Sequence, residues 1–321
     1  MRYFSLLLLG LVGFLAGCST EEKGIPVKEP VFFTLRNGEA VGVWRPGADS
    51  IQVWSAGKIM TYLDVTSDGK RVVATSSGEH QVYVFNAETG EQMARIPVGK
   101  VPKGVKVAPG DTLLLVANEG AGTISFIDLK RMRVIDEQPV GKMPHNLVFS
   151  PEGSFAYVTL QGEDKVAALD VSRHAVLDTL PVAGAPHNID LSPDGKWAFV
   201  VCIATNDMAV IDLTRWQEIK RVPLSTGHHG IDVAPDGRWI YASGIGSDKV
   251  NIIDRETLTR VKQVEVGKGP HGLRTTLDGN WLFVAVSGED EIVVINTKNQ
   301  RVEKRMPVEG FPFWIAIPGN P

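Results

Sequence analysis

MPHNLVFSPEG, residues 143–153, returns as APHNIDLSPDG at 185–195, as GHHGIDVAPDG at 227–237 and as GPHGLRTTLDG at 269–279. VPKGVKVAPGD at 101–111 precedes them, so each segment starts 42 residues after the last. Upstream, MTYLDVTSDG at 60–69 puts Thr61 in the column of Lys103, His145, His187, His229 and His271; downstream, FPFWIAIP at 311–318 puts Phe313 there. Seven occurrences share one frame. A fixed period of this length marks an array of supersecondary units, each burying its faces against its neighbours.

Each unit reads as four short strands. In the unit beginning at Pro270 they fall at 272–276, 281–286, 291–296 and 301–306, alternating β-branched and aromatic runs broken by Gly, Asp and Asn. Four strands per 40–45 residues is the pattern of a β-propeller blade. The last unit holds only its first strand, 313–317, and the N-terminus supplies three more at 31–35, 40–44 and 51–54. VFFTLRNGEAVGVW from Val31 matches LFVAVSGEDEIVVI of the preceding unit. The expected fold is all-β, a seven-bladed β-propeller over residues 30–321, closed by N- and C-terminal strands that share one blade and leave no open edge.

The chain has 321 residues, 43% hydrophobic and 22% charged, with a formal charge of −4. Such a balance excludes a disordered chain and a polytopic membrane protein, and no basic run offers a grip on nucleic acid. Arg2, the apolar run 4–15 and Leu15-Ala16-Gly17-Cys18 form an export signal over 1–17 that resembles a bacterial lipobox. The expectation is a lipoprotein acylated at Cys18, with a polar tether over 18–29. Ser19 follows the cysteine, a pattern that resembles outer-membrane sorting. The expected location is the periplasmic side of the envelope, with the membrane and envelope proteins as partners and the chain as a monomer. Cys202 is then the sole remaining thiol, so no disulfide forms within the mature chain.

AYVTL at Ala156 after SPEG, and WAFVV at Trp197 after SPDG, resemble the YVTN-type propeller repeats of exported bacterial proteins. More distantly the chain resembles the propeller that carries d-type haem in cytochrome cd nitrite reductases, and its lipid-anchored relatives linked to making that haem. Those propellers usually have eight blades, and this chain counts seven. The resemblance implies architecture and a haem-type tetrapyrrole as a possible cofactor class; it fixes no reaction.

Most repeated columns read as structural. Asn86, Asp128, Asp170, Asp212, Asp254 and Asn296 end successive third strands, where a short acceptor caps the next turn. The Asp-Gly and Glu-Gly pairs are hairpin turns, and Trp197, Trp239 and Trp281 pack between blades. The histidine column differs. His145, His187, His229 and His271 begin four consecutive inner strands near the axis at one mouth of the channel, and His228 adds a fifth imidazole. Converging imidazoles suit zinc, copper or iron, an axial haem bond, or proton transfer. Equally, duplicated blades inherit duplicated residues, and each ring can serve only its neighbours' backbone.

Lys58, Lys100, Lys142 and Lys268 form another column at that mouth, and Lys103 takes the histidine position in its own blade, a setting that favours an anionic ligand. Glu79, Glu119, Glu163, Asp164, Asp248, Glu289 and Asp290 stand on adjacent loops, and lysine–carboxylate pairs between blades are expected to cancel much of that field. Cys202 reads as a buried strand residue, with a soft metal ligand as the alternative.

Three functions stay open. One is a lipid-tethered binding module that holds a metal, metal complex or tetrapyrrole on His145, His187, His229 and His271, with His228 and Lys103. Another is a metal-assisted lyase or hydrolase, or a haem-maturation enzyme, on the same rim, with Asp190 or Asp232 as the carboxylate beside a Mg²⁺. The third is an interaction scaffold with structural histidines.

Overall fold

Seven four-stranded antiparallel sheets stand around one axis. The computed structural model describes residues 25–319, and within them not the side chains of His228 and His229. The expected signal peptide, the acylated Cys18 and the first part of the tether lie outside the described residues. Blades 1 to 6 occupy 60–97, 102–139, 144–181, 186–223, 228–265 and 270–307. Blade 7 takes its inner strand, Pro312–Ala316, from the C-terminus and its outer three, Val31–Leu35, Ala40–Trp44 and Gln52–Ser55, from the N-terminus. Phe33 pairs with Ile315 across the seam. The seven-bladed, end-stitched propeller is thus as the repeat predicts, with strand limits moved by a residue or two.

The second and third strands of each blade are buried on both faces because a neighbouring blade covers each side. That is why they read as near-continuous apolar runs such as Val72–Ala74 and Ile292–Ile295. Outer strands alternate between exposed and half-buried. The capping column acts as expected: each acceptor takes backbone N–H groups of the turn that follows.

Two local devices shape the axis. The residue before each inner strand, Ile59, Val101, Met143, Ala185, Gly227, Gly269 or Phe311, is left-handed, with φ between 51° and 71°. That region is unfavourable for β-branched residues, so the fold imposes it on Ile59 and Val101. Every inner strand of blades 1 to 6 also carries a bulge, for instance between Pro144 and Leu147, where three steps on the inner strand face two on its partner. A bulge breaks strict alternation and re-aims side chains. It falls on the histidine column and the column after it.

At the N-terminus, Ile25 and Val27 are buried in the cluster that holds Trp44, Phe283 and Met306. Lys28 lies near enough for its charge to act on Asp278, which sits in the turn joining the first two strands of blade 6. The described part of the tether is therefore packed against the propeller, on the face opposite the histidines.

Candidate functional site at the histidine mouth

Hydroxyls hold the bulged backbone. Thr159 Oγ1 accepts from Asn146 N at 3.0 Å and donates to His187 O, in the next blade, at 2.7 Å. Thr75 and Ser243 do the same for Tyr62 and Lys103 and for Gly230 and His271. Thr34 serves blade 7. These second-strand hydroxyls stand in blades 1, 3, 5 and 7 and hold the carbonyls of Thr61, Lys103, His187 and His271.

His145 and His187 come together, with ring centroids 3.8 Å apart and each residue about 6% exposed. His145 Nδ1 lies 2.7 Å from Glu119 Oε2, and its Nε2 lies 2.8 Å from the Tyr62 hydroxyl. Tyr62 donates to Asn188 Oδ1 at 3.2 Å, and Asn188 Nδ2 donates to His187 Nδ1 at 3.0 Å, which puts the His187 proton on Nε2. Glu119, His145, Tyr62, Asn188 and His187 thus form one chain of hydrogen bonds from blades 1 to 4. Tyr62 crosses the axis to make it, packing at a tilt against Trp314 with ring centroids 4.5 Å apart, and so plugs the channel behind the histidines.

Burial drives this chain toward neutral groups. Loss of water holds His145 down to about 3, with Lys103 adding to the effect. Burial raises Glu119, against the opposing charge of Lys103. It also pushes the Tyr62 phenol up. Since the phenol gives its one proton to Asn188 Oδ1, His145 Nε2–H donates to the phenol oxygen.

His271 stands apart from that pair. Its Nδ1 lies 2.9 Å from Gly269 O and 2.8 Å from Ser287 Oγ, and its ring packs 4.8 Å from Phe313. Burial holds it down to about 4. Ser287 in turn donates to Pro312 O. The Arg36 guanidinium covers Phe313 at 5.5 Å, and its charge reaches both His271 and Lys103. Lys103 is half-buried beside Glu119, and desolvation lowers its pKa. His228 and His229 open the inner strand of blade 5; their side chains lie outside the description.

Among the described residues no three His, Cys, Asp or Glu side chains are grouped to hold a metal ion. Both nitrogens of His145 are already bonded. Cys202 is buried among apolar residues, with its thiol pushed up to about 12, as a packing residue should be.

Two expectations are corrected. The rim carboxylates do not pair with Lys58, Lys100, Lys142 or Lys268, which are exposed. Glu163 and Glu289 instead accept the backbone N–H of Lys142 and Lys268, and Asp164, Asp248 and Asp290 accept those of Ala185, Gly269 and Phe311. The left-handed turn leaves these N–H groups otherwise unpaired, and a carboxylate from one of the two blades the linker joins is in reach. Asp190 and Asp232 do not face the histidines. They lie three residues further along inner strands that rise ~3.3 Å per residue, near the other mouth.

Sequence reasoning missed Tyr62, Asn188 and Arg36. The available signal was that position 62 holds Tyr where the next blades hold Gly104, Asn146 and Asn188.

Residues 129–305 match the family described as lactonase, 7-bladed β-propeller. Among curated proteins none matches the chain. Several solved structures share the fold. Hydrazine synthase from Kuenenia stuttgartiensis is 20% identical with a TM-score of 0.75, over 89% of this chain and 99% of that one. A Bacteroides fragilis protein provisionally described as a 6-phosphogluconolactonase is 18% identical with a TM-score of 0.76, over 91% and 98%. The dihydro-haem d1 dehydrogenase NirN, solved in complex with DHE, is 16% identical with a TM-score of 0.69, over 93% and 77%. At such identities the likeness is one of fold.

Proposed function

This chain belongs to the lactonase family of seven-bladed β-propellers, and on that premise we propose that it is an envelope binding module, tethered by lipid at Cys18, whose histidine mouth takes an anionic planar ligand. A tetrapyrrole or comparable metal complex with carboxylate arms is the ligand class favoured. The observation that carries this reading is the make-up of the mouth: neutral imidazoles and aromatic rings flanked by two cations, Lys103 and Arg36, against one carboxylate, Glu119. Aromatic walls suit a flat ring, and cations suit its acid groups.

A bare metal ion is supported less well, because it needs several imidazoles at once and His145 has both nitrogens engaged. A metal already held in a macrocycle would ask the protein for a single nitrogen, which His229 would supply. Such a group would bring its own colour and redox chemistry; the chain's residues would bind and orient it. NirN, whose title names a dihydro-haem d1 dehydrogenase, lends this class a precedent in the same fold.

A second reading, hydrolysis of a lactone, is favoured by the family and by the Glu119–His145 pair. However, a base near 3 has almost no proton affinity at neutral pH, where general bases work best near 7. His145 therefore supports binding more than proton abstraction.

The test is a visible spectrum with elemental analysis of the mature protein made in its export compartment, beside the variant His145→Ala/His187→Ala/His229→Ala/His271→Ala and, separately, Lys103→Ala. A stoichiometric chromophore or metal that the folded quadruple variant loses supports the module. Failure of the wild type to retain or take up any tetrapyrrole counts against it. Turnover of a lactone that Glu119→Gln abolishes replaces it with the second reading.

A further inference from the structure

The far ends of the same inner strands carry a different set of groups. Three positions beyond the histidine column stand Asp64, Lys106, Asp190, Asp232 and Arg274. Asp64, Lys106 and Asp190 line a cavity of about 430 Å³ that opens on the face opposite the histidines, and Asp232 and Arg274 are buried beside them. Pro109, Pro151, Pro193 and Pro235 form its rim, with Phe149 and Leu191 on the wall. The volume falls in the range of small-molecule sites, and its make-up, apolar walls with a few charged groups, is theirs too.

Part of the charge is internally satisfied. Arg274 donates to Asp232 at 2.9 Å and stands 3.6 Å from Asp190. Asp232 also accepts from the backbone N and the hydroxyl of Thr275. Lys106 is different. Its side chain is 10% exposed and lines the cavity, and its nearest carboxylate oxygen, Asp64 Oδ1, is 3.8 Å away, beyond hydrogen-bond reach. The other Asp64 oxygen accepts from Val107 N. Among the described residues no acceptor takes any of the three ammonium protons, and a buried ammonium without acceptors is costly.

The surroundings narrow what would supply one. Three carboxylates face two cations, so the group carries one excess negative charge. A plain anion on Lys106 would deepen that excess. A plain cation would leave the lysine protons unmet. A molecule with an acceptor oxygen for Lys106 and an ammonium for Asp64 and Asp190, both on one short frame, satisfies both demands, and the proline rim calls for an apolar remainder.

We propose that this proline-rimmed funnel is a second binding site, independent of the histidine mouth, for a small apolar zwitterion of the α-amino-acid type. The carboxylate sits on Lys106, the ammonium between Asp64 and Asp190, and the side chain lies against Phe149, Leu191 and the prolines.

Calorimetric titration of the intact mature protein with L-phenylalanine, phenethylamine and hydrocinnamate tests this. Phenylalanine saturates one site, and the amine and the acid, each lacking one charge, bind at least about tenfold more weakly. Lys106→Met, which keeps the volume, weakens phenylalanine at least about tenfold, while the quadruple histidine variant leaves it unchanged. The proposal is overturned if neither phenylalanine nor leucine binds at about 10 mM, if hydrocinnamate or phenethylamine binds as well as phenylalanine, or if folded Lys106→Met binds normally. Should that variant not fold, as judged by circular dichroism, the three-ligand comparison on the wild type decides.

Discussion

The two mouths of the propeller are built three residues apart on the same strands, yet they solve opposite problems. At one, His145, His187, Tyr62 and Asn188 touch across the axis in one run of hydrogen bonds, and burial keeps His145 neutral. At the other, full charges are buried around a cavity and Lys106 keeps unused donors. Repetition accounts for the first: one residue type copied through four blades gives like beside like, and rings stack. Divergence accounts for the second, since opposite charges are useful only where neighbouring blades differ. A closed ring of near-identical units can thus carry a packed end and a polar, open end on one framework.

The contrast breaks most visibly at Asp232. Its carboxylate is fully buried, and Asp232→Ala strands Arg274 without its closest counter-ion. Removing one partner of such a pair costs about 3–5 kcal/mol. Urea unfolding is expected to show a loss of that size; a loss below about 1 kcal/mol would mean that Asp190 takes the charge over unaided.

At the neutral mouth the corresponding change is milder. Tyr62→Phe leaves the ring packing and removes the hydroxyl shared by His145 and Asn188, for about 1–3 kcal/mol. A loss as large as that at Asp232 would erase the distinction between the two ends.

Acid sharpens the same distinction. His145 and His271 titrate near 3 and 4 when folded, well below an unfolded histidine at ~6.5. Below that value the unfolded chain takes up protons that the folded chain refuses, so their contribution is complete above about pH 6.5 and drains away toward pH 3–4. The melting temperature should fall over this window, and less steeply in His145→Gln. An unchanged slope in that variant would show that His145 is not held neutral.

The smallest expected effect is at Thr159, whose hydroxyl joins the bulge of blade 3 to His187 of blade 4. Thr159→Val should cost about 1–2 kcal/mol. Ala117→Thr, one blade earlier where the hydroxyl is missing, gives no matching gain, because a buried alanine site has no room for it.

How far the sequence could be read follows the same division. The ring, its seven blades and the shared closing blade were legible because a 42-residue period needs no knowledge of contacts. The histidine column was legible for the same reason. Tyr62 was not, because it appears once and acts three blades away on Asn188, a pairing that no local spacing announces. The rim carboxylates misled in the other direction. As a set with the lysine column they read as ion pairs, yet five of them answer left-handed backbone turns whose need for acceptors is invisible in the side chains. The Asp64–Lys106 and Asp232–Arg274 pairs hide in a column that looks like noise when scanned for repetition.

Ile25, Val27 and Lys28 give the molecule an orientation. Ile25 and Val27 are packed, and Lys28 is exposed, on the face that carries the Asp278 turn and the proline funnel. If Cys18 is the acylated residue, the seven steps from it to Ile25 reach at most ~25 Å, a short tether. On the proposal that Cys18 carries the lipid, the funnel would face the thin water layer above the headgroups and the histidines would face the open compartment. Cargo handed over by a soluble carrier would then meet the histidine mouth first, and whatever escapes the bilayer the funnel.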